Sequence, residues 1–469
     1  MSGMPADKAH RSRLSSLMRV LLGVSVAIVV LSYLTSPRYP RSRADRLVCL
    51  VNLRSLGAGF ALYADEYGNK YPSLGQWCDL LAKRFVLEEH FHCRAGEKKS
   101  RCDYAMNPHA DPCCAPDVVL LFESQGGWNL SGGPELLTTE RHKGGGVLFV
   151  DGSVRWIKPE EVIGLTWVGE KDLPAELRNG RRPQNDGEAK YWLENMIWYH
   201  RFTTREIQAA MGLSERQIVG AQEKSGIRSG SRPVRGDDAP LLVLPYPGGR
   251  HPRIGFLEGA VDPQRETKFS VFTPWDPNNY VVVDVPEAIW SNLGLTYLAH
   301  THIDTIWTKQ GIELPKLEWN RQVDGSLDIR RKLPNGMAFG VRAVPSRDAV
   351  RMEMWLDNGT AEKLSDLRVQ ICVMPKMAAG FAAQTNENKV FTNPYVACRS
   401  ADGRRWIITA WEGCQRPWGN EDCPCFHSDP KFPDLEPGQR ARLRGWLSFY
   451  EGTDVQGEFA RIEATGWRK

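Results

Sequence analysis

One run constrains this chain more than any other. VLLGVSVAIVVLSYLTS, Val20 to Ser36, carries no charge over 17 residues. Apolar surface on that scale has to leave water, and the sequence around it offers nothing to bury it. Upstream stand Lys8, Arg11 and Arg13, and downstream Arg38, Arg41, Arg43 and Arg46. Leu17 and Met18 extend the run by a turn once Arg19 snorkels to the interface, so residues 17–36 are expected to cross a lipid bilayer as one helix. The flanking charge is nearly balanced and does not by itself orient the helix. No A-x-A-like cleavage site follows, which favours an uncleaved signal-anchor over a removed leader. With only a short head at 1–16, the N-terminus is expected in the cytoplasm. The chain would then be a single-pass protein of the cell inner membrane, its bulk extracytoplasmic.

A chain of 469 residues, 42% hydrophobic and 25% charged, is too long for one core and divides into domains. Its formal charge of +4 implies neither nucleic acid nor an acidic surface. The 11 cysteines fall in two groups, Cys49 to Cys114 and Cys372 to Cys425, and an odd number leaves one without a partner in the chain. An oxidising exterior favours disulfides within each group, including pairs formed by Cys113 and Cys114.

Residues 44–168 read as a small α+β head. In LVCLVNLRSLGAGFALYADEYGNKYP, residues Leu53, Leu56, Phe60, Tyr63 and Tyr67 recur at spacings of 3 and 4, one face of a helix. Gly57 and Gly59 weaken it locally, and Gly68 with Pro72 ends it. Further on, RHKGGGVLFVDGSVRWI holds a short apolar strand, an Asp151-Gly152 turn and a returning strand. Its three glycines precede a strand rather than a helix, and no Lys-Ser/Thr follows, which argues against a phosphate loop. His142 and Asp151 are expected to tie down turns.

The ordered set CLVNLRSLGAGFALYADEYGNKYP, FHCRAG and RHKGGGVLFVDGSVRWI resembles the prepilin-type, pseudopilin-like family with the H-x9-DG motif, over residues 15–160. The motif positions here are His142, Asp151 and Gly152, with eight residues rather than nine between the histidine and the aspartate. The resemblance implies a membrane-embedded N-terminal helix carrying an exported head, and no enzyme. Residues 17–36 contain no acid and are followed by Pro37 and Pro40, unlike the continuous, acid-bearing helix of processed pilins. An anchored monomer is expected.

Beyond a linker at 169–187, residues 188–228 form a helical hairpin. Thr203 or Thr204 caps one helix, Gly212 permits a tight turn, and Ser214 with Gln217 makes a capping box for the next. Ile207, Met211, Leu213 and Ile218 supply its core. The segment resembles the helix-turn-helix of transcription factors, with Arg216 and Gln217 in the position to read bases and Arg201, Arg205, Lys224 and Arg228 to meet phosphates. An extracytoplasmic location argues against nucleic acid and for a spacer or docking element.

After a second linker, 229–250, residues 251–469 carry recurrent β-prone runs separated by Asp324-Gly325, Asn335-Gly336, Asn358-Gly359 and Asp402-Gly403. VRMEMWL alternates apolar Val350, Met352, Met354 and Leu356 with Arg351, Glu353 and Trp355, as a half-buried strand does. The expected fold is therefore multidomain: an N-terminal transmembrane helix, a small pilin-like α+β head, a helical hairpin and a C-terminal all-β sandwich. The sandwich resembles uncharacterised β-sandwich domains of bacterial exported proteins and, at fold level only, the supersandwich of aldose epimerases.

Three constellations in it carry chemistry. His300, His302 and Asp304 in LAHTHIDTIW would share one face if extended, and Glu412 is a further carboxylate for acid/base work. Trp411, Arg416, Trp418 and Asn420 surround a loop of the composition expected at a carbohydrate site, tryptophan faces stacking on sugars as readily as they fill cores. Cys414, Cys423, Cys425 and His427 would suit zinc, or disulfides outside the cell. No organic cofactor is indicated. The expected partners are the bilayer, through residues 17–36, and a polysaccharide or cell-surface protein. A carbohydrate-active enzyme and a membrane-tethered DNA-binding regulator are the alternatives.

Overall fold

A computed structural model describes residues 41–94, 96, 100–141, 143–169, 180–236, 238–247, 266–299 and 303–469. The apolar run at 17–36 and His142, His300 and His302 lie outside the described residues. Two compact units are present, one within Met1–Asp172 and the other within Leu173–Lys469.

The first unit lays one long helix on a small sheet. Helix α1 (Arg41–Glu66) buries Leu53, Leu56 and Phe60 completely, the stripe that the 3,4 spacing marks out. Gly59 is there because the chain passes close by: a Cβ on it would stand 2.2 Å from Val86 Cγ2. The helix stops where Gly68 and Asn69 turn left-handed, at φ 69° and 58°. From Asp45 to Glu66 this helix is long and apolar enough to cross a membrane by length and composition, yet it also supplies the first unit's core. Helix α2 (Trp77–Ala82) adds Trp77 and Leu81 to the same core.

The sheet consists of β1 (Tyr104–Met106), β2 (Val119–Glu123), β3 (Gly145–Phe149) and β4 (Val154–Ile157), antiparallel and in sequence order. Asp151 and Gly152 form the β3–β4 turn. Asp151 Oδ1 accepts from Ser153 N at 2.8 Å, and Gly152 has φ 79°. The hydrogen bonds to Ser153 hold the Asp151 carboxyl below its ordinary range. The preceding glycines are packing positions. A Cβ on Gly144 would meet Trp156 Nε1 at 2.5 Å, one on Gly145 the Thr138 carbonyl at 2.7 Å, and one on Gly146 Leu53 Cδ1 at 2.8 Å. They let a loop and α1 approach the strand.

The second unit opens with helix α3 (Asp186–Glu194), capped by Asn185 and continued by a π-turn through His200. Helices α4 (Thr204–Met211) and α5 (Glu215–Ser225) start at capping boxes, Thr203 with Glu206 and Ser214 with Gln217, and Gly212 between them is left-handed. Ile207, Met211, Leu213 and Ile218 are all buried. The hairpin is not free-standing. Its flank donates Asn195 Nδ2 to the Pro245 carbonyl at 2.9 Å, and His200 Nε2 lies 2.8 Å from Ser270 Oγ. Gln217 is occupied in its cap and Lys224 pairs with Asp186, so two side chains that could have met DNA are engaged within the protein.

The sandwich strands follow. First come β5 (Val243–Pro245), β6 (Lys268–Phe272), β7 (Tyr280–Ser291) and β8 (Gly294–Tyr297). Next are β9 (Asn320–Arg321), β10 (Leu327–Lys332), β11 (Ala338–Pro345), β12 (Ala349–Asp357) and β13 (Arg368–Met374). Then come β14 (Lys389–Thr392), β15 (Tyr395–Arg399), β16 (Arg405–Trp411), β17 (Cys414–Gly419), β18 (Phe426–Pro430) and β19 (Arg440–Glu451). The first of them lies in the stretch expected to be linker, so the sandwich begins at or before Val243 rather than at 251.

One sheet has eight strands, in the order β14-β15-β16-β19-β12-β11-β10-β9. The other has the path β17-β18-β13-β7-β6-β5, with β8 added on β7. All pairings are antiparallel, and the last strand, β19, lies between β16 and β12. The core joins the two inner faces: Val281, Val283, Ile371 and Val373 from the seven-stranded sheet, Val341, Met352, Met354 and Leu447 from the eight-stranded one. Helix α6 (Val455–Ala464) covers the other face of the eight-stranded sheet, packing Phe459 and Ile462 with Trp406, Ile408 and Ala410.

Asp357, at the end of β12, faces Arg440 of β19 and pairs with it and with Arg330. The Arg440 hydrogen bond is the main cause that holds this carboxyl below its ordinary value of 3.8. A depressed carboxyl stabilises the fold above its unfolded pKa and loses that contribution as pH falls through the folded one. The wild type is therefore expected to hold a small Tm margin over Asp357→Asn near neutrality that shrinks below pH 3.8. A margin unchanged across an acid titration of Tm would contradict this.

Candidate functional site

The second unit buries charge where a sheet of this kind would bury carbon. Along β7, the apolar run YVVVDVPEAIW is broken by Asp284 and Glu287, and both are buried. They belong to a polar row on the outer face of the seven-stranded sheet. In register across five strands stand Trp418 on β17, His427 on β18, Cys372 on β13, Asp284 on β7 and Lys268 on β6. A register shift between Gln370 and Cys372 brings Glu287 beside Gln370.

Each member is held. Lys268 Nζ lies 3.3 Å from Asp284 Oδ2 and donates to the Ala299 carbonyl at 3.0 Å. Thr267 Oγ1 donates to Asp284 Oδ1 at 2.9 Å. Glu287 accepts from Tyr297 Oη at 2.7 Å and Gln370 Nε2 at 2.8 Å. Asp429 accepts from Trp418 Nε1 at 2.6 Å and Ile371 N at 3.0 Å. The Trp418 ring stacks on His427, centroids 4.0 Å apart and planes 10° from parallel, with the Arg416 guanidinium 4.3 Å above Trp418.

Burial dominates the electrostatics. It lifts the Glu287 and Asp429 carboxyls to about 7, and it lowers His427 to about 3, so that imidazole is neutral. It also raises Asp284, with Lys268 working against it. For Cys372 a Cys425 hydrogen bond lowers the pKa while burial and Glu287 raise it, leaving the thiol at about 12.

Among the described residues, two groups of donor atoms are close enough to hold a metal ion. Those of Cys372, Cys425 and His427 lie within 4.8 Å of one another, as do those of Cys49, Cys93 and Glu123 in the first unit. All six residues are buried.

The residues expected from sequence distribute differently. Trp411 is fully buried between the sheets, its side chain over Gly445, so it has no face to offer a sugar. Arg416 and Trp418 do come together, but over His427, and Asn420 closes a turn by accepting from Asp422 N. The proposed carbohydrate loop is thus not one cleft, because Trp411 ends a strand facing the opposite way. Cys414 lies across from Pro430, its thiol hydrogen-bonded to Ser428, and is outside the close donor group. Its place there is taken by Cys372. Among the described residues no disulfide joins Cys372, Cys414, Cys423 and Cys425. Cys113 Sγ accepts from Asn69, and Cys114 Sγ donates to the His109 carbonyl. Asp304 is exposed in the turn after β8, at the seven-stranded sheet, whereas Glu412 binds Arg444 at the eight-stranded sheet.

A second feature is open. Where the β6–β7 and β11–β12 turns meet the end of β19 and α6, a cleft of about 1020 Å³ is lined by Arg232, Arg235, Arg347 and Arg461, by the acids Asp348, Glu451 and Glu458, and by Phe449 and Tyr450, among others. Arg461 is held by Glu458 at 2.7 Å and Arg347 by Asp238 at 3.2 Å. Arg232 donates instead to Asn278 Oδ1 and the Pro277 carbonyl, with its guanidinium 4.8 Å above the Tyr199 ring. Arg235 donates to the Pro240 carbonyl at 2.6 Å. Among the described residues neither pairs with a carboxylate. Burial lowers the Arg235 pKa, Tyr199 opposes that, and Arg232 lowers it further.

No family model matches the sequence, and no curated protein matches it. Solved structures resemble parts of it. The Slr1438 protein from Synechocystis is 11% identical over 40% of this chain and 90% of its own, with a TM-score of 0.25. A polysaccharide lyase is 11% identical over 47% of this chain and 34% of its own, at 0.28. A Klebsiella pneumoniae protein described as an aldose 1-epimerase is 8% identical over 43% and 58%, at 0.21.

Proposed function

We propose that this is a membrane-anchored, exported protein with a pseudopilin-like head, whose β-sandwich binds an anionic polysaccharide outside the inner membrane. Residues 17–36 would be the anchor, by their uncharged run. The prepilin-type reading of the head is supported by a long apolar helix packed on a small antiparallel sheet with an Asp-Gly hairpin. The observation that carries the binding reading is the open cleft lined by Arg232 and Arg235, neither paired with a described carboxylate, while the cleft's other two arginines are held by Glu458 and Asp238. Guanidiniums so placed suit uronate or sulfate groups, which they bind in a fork geometry, and Phe449 and Tyr450 offer ring surface to sugars.

Binding is favoured over turnover because neither Asp304, in the turn after β8, nor Glu412, bound to Arg444, lines the cleft. The test is titration calorimetry of the full chain in detergent with polygalacturonate and with a neutral glucan. The acidic polymer is expected to bind, and Arg232→Gln or Arg235→Gln to weaken it about ten-fold or more, the loss of a charge-assisted hydrogen bond. Equal binding of the neutral glucan would sink the reading. Protease accessibility in intact spheroplasts tests the location: a protected C-terminal region would favour the DNA-binding alternative.

A further inference from the structure

We propose that Cys372, Cys423, Cys425 and His427 hold a structural zinc ion on the outer face of the seven-stranded sheet. This is independent of the cleft and of what it binds.

The donor set is soft and gathered from two strands and a loop. Cys372 and His427 face each other across the β13–β18 ladder, and Cys425 is two residues before His427. His427 Nε2 lies 3.2 Å from Cys425 Sγ. Cys423 is buried, hydrogen-bonded to Cys425, and its sulfur is 3.8 Å from Met374 Sδ. Around a tetrahedral zinc, with bonds of about 2.0–2.3 Å, neighbouring donors stand about 3.4–3.8 Å apart. The donors of Cys372, Cys425 and His427 already lie within 4.8 Å of one another and close to that spacing by small rotamer adjustments, and Cys423, hydrogen-bonded to Cys425, would turn from Met374 to complete the set.

The surroundings point to a ligand rather than to a polar accident. His427 is 1% exposed, and its Nδ1 has no side-chain hydrogen-bond partner among the described residues, only the Ile371 backbone beside the ring. That nitrogen faces Glu287 Oε2 and Asp429 Oδ1, each at 3.9 Å. Neither distance is a hydrogen bond as it stands, but a small turn of the ring would bring one carboxylate into the position that fixes the tautomer of a metal-bound histidine and leaves Nε2 to the metal. Stacking on Trp418, which itself donates to Asp429, holds the ring plane. Sulfur and nitrogen donors select zinc over magnesium or calcium. Four protein ligands in a buried place make a closed, structural site rather than a catalytic one. Metal binding would tie β13, β18 and the loop before β18 together.

The experiment measures zinc by mass spectrometry in full chain purified in detergent without chelator. Because Cys49, Cys93 and Glu123 form a separate donor group, the readout is the difference between proteins. Cys372→Ser and His427→Gln are each expected to carry about one ion fewer per chain than the wild type. Cys414→Ser should retain the full content. Glu287→Gln, which leaves all four ligands in place, should weaken zinc affinity about 10–100-fold and so keeps the test open if a ligand variant does not fold. Equal zinc in wild type and His427→Gln would overturn the proposal. So would a disulfide among Cys372, Cys423 and Cys425 in peptide mapping of the unreduced protein.

Discussion

Trp411→Ala is expected to destabilise the sandwich by about 3–5 kcal/mol, the range for deleting a fully buried tryptophan side chain. The ring lies between the sheets against Gly445, where a Cβ would come within 2.5 Å of it, so the site is filled to contact and cannot collapse around a void. Denaturant unfolding should show the loss as a lower midpoint with an unchanged slope. Where the variant is still folded, the acidic-polysaccharide binding proposed for the cleft should be the same as in the wild type, because the cleft's lining does not include Trp411. The converse result, wild-type stability with lost glycan binding, would return Trp411 to a ligand surface.

Lys268→Met is the second large expectation. Lys268 and Asp284 are both buried, at 1% and 6% side-chain exposure, and removal of the cation leaves a carboxylate without its partner in the interior. Breaking such a pair costs about 3–5 kcal/mol, most of it from the abandoned charge. The double variant Lys268→Met with Asp284→Asn should recover much of the loss. Arg84→Met, which breaks a pair with side-chain exposures of 67% and 38%, should cost about 0–1 kcal/mol. If chemical denaturation put the Lys268 and Arg84 variants on the same footing, the interior pair would not be the source of stability described above.

Much of the architecture was readable from local pattern. The alternation in VRMEMWL marks Val350, Met352, Met354 and Leu356, and all four are buried. The hairpin at Asp151-Gly152 and the Ser214–Gln217 capping box depend on residues a few positions apart, so they are visible without knowing the fold. The other cap is open in the sequence between Thr203 and Thr204, and Glu206 decides it for Thr203 by completing the box. The site was less legible, for a physical reason. In RRWIITAW both strand faces are covered, one by the opposite sheet and the other by α6, so alternation disappears and Trp406 and Trp411 look alike. Cys372 sits in LRVQICVM with no local sign that its neighbour is His427, because only strand pairing brings them together. One signal was present and would have helped: the acids Asp284 and Glu287 inside an otherwise apolar strand. Interior carboxylates need partners, and those partners trace the polar row.

The place of β19 has a consequence for how the molecule comes into being. It is inserted between β16 and β12, so the two halves of the eight-stranded sheet have no edge in common until it arrives. In a chain made from its N-terminus that connecting stave follows every other strand of the sandwich. The sheet therefore closes through its most sequence-distant pairing, β12 with β19, a contact of the kind that slows folding.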